Sequence, residues 1–167
     1  VMTDIGNGRD IELNGHLYQQ ETHILYDTAK ELFDYLAKEK YEYGTTDIKL
    51  PKVNQSDEKK MNGAGFVSWA IAWYNNKENP IKENDTDETR KKFVFSIENL
   101  ANYNNAETNP MVKNKFLRIA YKKGKTTVRK GDILINKDHN SIEIAEGNGK
   151  SIKVSSIYLT SYFLLCA

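Results

Sequence analysis

This chain of 167 residues has one cysteine, three prolines, three histidines and four arginines. Cys166 stands alone, so no internal disulfide can form, and the redox compartment stays open. The longest apolar run, Tyr162 to Ala167, falls far short of the roughly 18 residues that a bilayer crossing needs. Val1 to Arg9 lack the basic-then-apolar layout of a signal peptide, and the chain opens on Val, as a trimmed fragment does. The formal net charge of +1 gives no global pull towards nucleic acid or acidic membranes. No His/Cys/Asp/Glu spacing matches a metal site, and no motif implies another cofactor. Internal repeats are also missing.

The remaining composition, 39% hydrophobic and 28% charged, supports one soluble domain with its own core. Residues 1–21 are polar and rich in Gly and Asn, which reads as an N-terminal arm. Residues 22–167 read as the domain. Leu25, Ala29, Leu32, Phe33 and Leu36 recur at helical spacing, predicting an amphipathic helix from about Thr22, its N-cap, to Lys40. Gly63 to Tyr74 is apolar on nearly every face, as in a helix buried all round, with Asn62 as its N-cap. A polar insertion follows over about 75–113; within it Phe93, Ile97 and Leu100 fit a short helix, although Phe93-Val94-Phe95 also fits the start of a strand. Lys113 to Tyr121 is open in the same way. The last third is β: Ile133-Leu134-Ile135, then Ile142 and Ile144 alternating with Glu143, a Gly147-Asn148-Gly149 turn, Ile152 and Val154 on the return, and a final strand from Ile157. Helices first and an antiparallel meander afterwards make an α+β layout.

Four blocks carry a family pattern, in order: Tyr41-Glu42-Tyr43-Gly44, Asn62-Gly63-Ala64-Gly65-Phe66-Val67-Ser68-Trp69, Lys130-Gly131-Asp132-Ile133-Leu134, and Ser141-Ile142-Glu143-Ile144-Ala145-Glu146-Gly147-Asn148-Gly149. Together they resemble the NlpC family of papain-like cell-wall cysteine peptidases, whose helix start reads Asp-Cys-Ser-Gly-Phe-Val-x-Trp. The resemblance implies a papain-like fold, N-terminal helices packed on an antiparallel meander, and a chain that is extracellular or wall-associated. It also implies a thiolate at the first turn of a helix, where the dipole favours the anion, and a histidine on a neighbouring strand to move the proton. Peptidoglycan stem peptides would be the substrate class, in a cleft flanked by Tyr41, Asn62 and Ala64.

Gly63 occupies the nucleophile position and has nothing with which to attack. Asn62 replaces the family's Asp. A register anchored on Gly147-Asn148-Gly149 puts Ser141 at the histidine position; a second, keeping the spacing from Asp132, puts His139 there. The resemblance therefore implies a peptidase-like domain that is inactive as written, either an engineered mutant or a natural pseudoenzyme that binds cell-wall peptide. The alternative is a non-catalytic interaction or adaptor domain in a secretion, conjugation or phage-tail assembly, with another protein as partner; a related amidase is a third. Trp69 and Trp73, at i and i+4, read as core, and Lys122-Lys123-Gly124-Lys125 with Arg129 reads as a solvated basic turn.

Overall fold

The structure is a computed structural model and describes residues 16–20, 25–44, 48–49, 59–82, 85, 88–89, 92–104, 109–120, 125–136, 141–147, 150–154 and 159–163. The elements run β1 (His16–Gln19), α1 (Leu25–Lys38), β2 (Glu42–Tyr43), β3 (Ile48–Lys49), β4 (Lys60–Met61), α2 (Gly63–Asn76), α3 (Ile97–Ala101) and α4 (Pro110–Lys113). Strands β5 (Leu117–Ala120), β6 (Ile133–Asn136), β7 (Ser141–Gly147), β8 (Lys150–Val154) and β9 (Leu159–Phe163) complete the order. One sheet is ordered β5-β1-β6-β7-β8-β9 and a smaller one β2-β4-β3. Every pairing in the large sheet is antiparallel, and β6 to β9 form a meander, so the fold is α+β.

The amphipathic helix forms where its apolar stripe requires: Leu25, Ala29, Leu32, Phe33 and Leu36 are all buried. Thr22, its expected cap, lies outside the described residues. Helix α2 is buried along Ala64 to Trp73, matching a sequence without a polar face. It packs against α1 and against β7 and β8 of the sheet, which α1 also meets. The sheet turns Tyr18, Ile133, Ile135, Ile142 and Ile144 towards these helices. Leu17, Leu134 and Ala145 cluster separately with Val128, as strand alternation requires for the opposite face. Strand β6 is buried at all its positions, which accounts for the unbroken apolar run Ile133-Leu134-Ile135.

Two expectations need correction. The polar arm does not extend to residue 21: its end, His16–Gln19, is an inner strand between β5 and β6. Leu17 and Tyr18 are each fully buried, and two apolar residues are too few to register as a periodicity. Within the insertion, Asn75 to Glu88 reads from its polarity as an exposed loop; Asn75 to Glu78 are exposed, but the chain then returns to the core. Trp69 Nε1 donates to Asn79 Oδ1 at 2.9 Å, and Ile81 beside it is buried. Further on, the Ser68 hydroxyl accepts from Phe95 N at 3.1 Å, tying the approach to α3 onto α2.

Asn109 holds the end of that insertion. Its Nδ2 donates to the carbonyls of Asn99 (2.9 Å), Leu100 (3.0 Å) and Asn102 (2.8 Å). Its Oδ1 caps α4 by accepting from Met111 N at 2.7 Å. One buried amide thus satisfies the C-terminal carbonyls of α3 and an orphan N–H of the next helix.

Candidate functional site

Strand β4 delivers the chain directly into Asn62, which has extended backbone (φ −108°, ψ −177°) and caps α2. Its Oδ1 accepts from Gly65 N at 2.8 Å, and its carbonyl accepts from Phe66 N at 3.0 Å. Gly63 is the first helical residue, half-buried, and Ala64 after it is buried. The positive end of the dipole therefore sits where the family pattern needs it, but no nucleophilic atom is present there.

Gly63 does not have a positive φ; the glycines that do are Gly131 and Gly147 among the described residues. Its lack of a side chain answers a close approach instead. A Cβ built on Gly63 would stand 2.6 Å from Cγ2 of Ile142 and 3.7 Å from the Ile142 carbonyl oxygen. Ile142 is on β7, opposite Ile135 of β6. The helix start and the fourth sequence block thus meet, and the residue at the meeting point is isoleucine. Ser141 opens β7 one position earlier, paired in register with Asn136. His139 lies outside the described residues.

The first block is brought near the second through the small sheet. β2 pairs in parallel with β4, so Tyr43 lies opposite Met61, one residue from Asn62. Gly44 N donates to the Met61 carbonyl at 2.9 Å, and a Cβ on Gly44 would stand 2.8 Å from Lys60 Cβ. That contact with a neighbour's Cβ is what demands glycine at the end of the block. Tyr41 itself is only 7% exposed and packs in the core. Its ring meets Trp69 edge-on at 5.7 Å, with the Lys59 ammonium 5.7 Å from its centroid. Burial, chiefly, and then the nearby Tyr35 and Glu39 push its hydroxyl above the ordinary tyrosine range.

The third block makes the turn into β6. Gly131, at φ 88°, donates to the Ala145 carbonyl at 2.8 Å, and Ala145 N returns a bond of 2.8 Å to the Asp132 carbonyl. Asp132 is fully buried; its Oδ2 accepts from Arg129 N at 2.7 Å and from Gln19 Nε2 at 3.0 Å. That carboxylate ties β1 to the turn, a structural task that explains an acid before an apolar strand. On the helix side, Lys130 bridges to Asp27 at 2.9 Å and lies 5.3 Å from the Tyr26 ring centroid.

A shallow groove of about 430 Å³, lined by Thr28, Glu31, Trp73, Tyr74, Asn75 and Lys77, lies at the C-terminal end of α2. Among the described residues no cluster of His, Cys, Asp or Glu could hold a metal ion, and no helix is long and apolar enough to cross a membrane. The residue that sequence reasoning missed is Ile142, because its neighbour across space is fixed by the β6–β7 register and not by any local signal. No family model matches the chain, and neither the curated proteins nor the solved structures give a match.

Proposed function

We propose that this chain is a catalytically silent domain of the NlpC-type, papain-like kind, retained as a non-catalytic interaction module. One observation carries the reading: the space into which a side chain at position 63 would project is filled by the Ile142 methyl. A β-branched side chain bears that methyl directly on its Cβ and is stiff about χ1, so it cannot swing aside as the tip of a lysine would. Loss of the nucleophile is thus matched by closure of the space around it. Kinship with the peptidases rests on the four sequence blocks and is supported by their meeting in space: β2 beside β4, β4 leading into α2, and α2 against β7. An interaction role is favoured over peptide binding in the ancestral cleft because Tyr41 and Ala64, two residues expected to flank it, are buried in the core.

The test restores the nucleophile. Gly63→Cys, and Gly63→Cys combined with Ile142→Ala to make room, should both fail to lyse peptidoglycan. Calorimetry with purified stem peptides should show no binding to the natural chain. Lysis by either variant would identify a disabled enzyme instead, and stem-peptide binding would restore the cell-wall reading.

A further inference from the structure

We propose that the edge of β5 left unpaired among the described residues is a docking site for an extended, acidic segment of a partner protein, which adds to the sheet as a further strand. Strand β5 ends the large sheet, so its outer backbone N–H and C=O groups face away from β1. All its residues are exposed, and among the described residues its Leu117 (66% exposed) and Ile119 (36%) are the large apolar side chains left most open to solvent. They lie two apart and share one face, the spacing at which an added strand presents its own alternate side chains.

Charge selects the occupant. From Lys113 to Lys130 the sequence holds eight Lys and Arg and no Asp or Glu, while the other 149 residues hold 16 Lys and Arg against 23 acids. Lys113, Lys115, Arg118 and Lys125 of this stretch are exposed, the first two just before the strand and Arg118 on it. Arg118 lies over the Tyr103 ring at 5.3 Å, which keeps its charge beside β5. Such a field raises the encounter rate of an acidic chain and repels a basic one. A nucleic acid fits less well: the aromatic residue described in this stretch, Phe116, is buried and offers no ring on which a base can stack. β5 carries one charge of its own, Arg118, held over the Tyr103 ring, and its other three positions are Leu, Ile and Ala, an apolar share larger than a merely defended edge shows.

The surface lies apart from Gly63, so the proposal stands or falls independently of the peptidase kinship. A synthetic decapeptide alternating Val with Glu serves as probe, read by fluorescence anisotropy and by amide exchange of the natural chain. Binding should weaken as salt rises and slow the exchange of the Leu117–Ala120 amides. It should fall at least tenfold in the pair Leu117→Asp with Ile119→Asp. The triple variant Lys113→Glu, Lys115→Glu, Lys125→Glu leaves the apolar positions intact and should lose a similar factor, so a folding defect in the first pair would not spare the idea. Equal affinity for a Gly–Glu decapeptide would reduce the site to charge attraction and overturn it. So would tighter binding of a single-stranded oligonucleotide, concentration-dependent dimerisation through β5, β5 amides already slow in the free chain, or no binding at all.

Discussion

The Cγ2 methyl of Ile142 lies 2.6 Å from the point where a Cβ on Gly63 would stand, so the first residue of α2 and the second residue of β7 exclude each other's growth. Any side chain at 63 must displace a stiff, buried isoleucine. Gly63→Ala should therefore destabilise the domain by about 1–3 kcal/mol, the usual cost of overpacking. Ile142→Ala alone should cost roughly 2–5 kcal/mol through the cavity it opens. The double variant should be more stable than the sum of the two, with a coupling of about 0.5–3 kcal/mol. Urea denaturation of the four proteins measures it, and simple additivity would mean that the two residues do not touch.

Asn109 joins two short helices that could not persist alone. Asn109→Ala removes three donated bonds and the cap of α4 together and leaves buried carbonyls without partners. A loss of about 2–4 kcal/mol is expected, above the roughly 1 kcal/mol typical of an N-cap alone. Amide exchange should quicken over residues 97–114 and change little in α1. An effect spread evenly over the domain would show that the insertion folds as one unit with the core.

Asp132 takes a structural role in the turn it closes. Asp132→Ala should detach Gln19 and the Arg129 amide, loosening β1 from β6 and lowering stability by about 2–3 kcal/mol. Asp132→Asn keeps one carbonyl oxygen as an acceptor and should recover part of that loss. Thermal unfolding of the two variants compares them directly; equal midpoints would mean that the carboxylate's charge carries the whole effect.

The sequence made α1 and α2 legible because burial there obeys local rules: a stripe at Leu25, Ala29, Leu32, Phe33 and Leu36, and an Asn62 cap before a helix with no polar face. The meander was legible from alternation at Ile142, Ile144, Ile152 and Val154. Strand β1 was not, since its signal amounts to Leu17 and Tyr18 in polar surroundings, and its partners are 98 to 119 residues away. Asn109 looked like any loop asparagine, because its acceptors are backbone carbonyls, which no sequence distinguishes. At the candidate site, the sequence marked Gly63 as a helix start. That Ile142 would stand against it was decided by the β6–β7 register, where a single step exchanges the faces of a strand.

Tyr26 gives the domain an alkaline limit. It is buried, and its hydroxyl is pushed up from 10.0 to about 12, first by desolvation and then by Glu146, which accepts its proton in a hydrogen bond. The folded chain thus holds the phenol proton more tightly than the unfolded chain does. The stabilising contribution is complete below the unfolded value near 10 and disappears as pH rises through about 12. Tyr41, also raised by burial, acts in the same direction. Between those pH values the natural chain should lose stability more steeply than Tyr26→Phe, which has no proton to lose there. Unfolding midpoints in urea at pH 9, 10 and 11 on both chains measure the difference. Parallel curves would place the ionisation elsewhere and leave Tyr26 as packing alone.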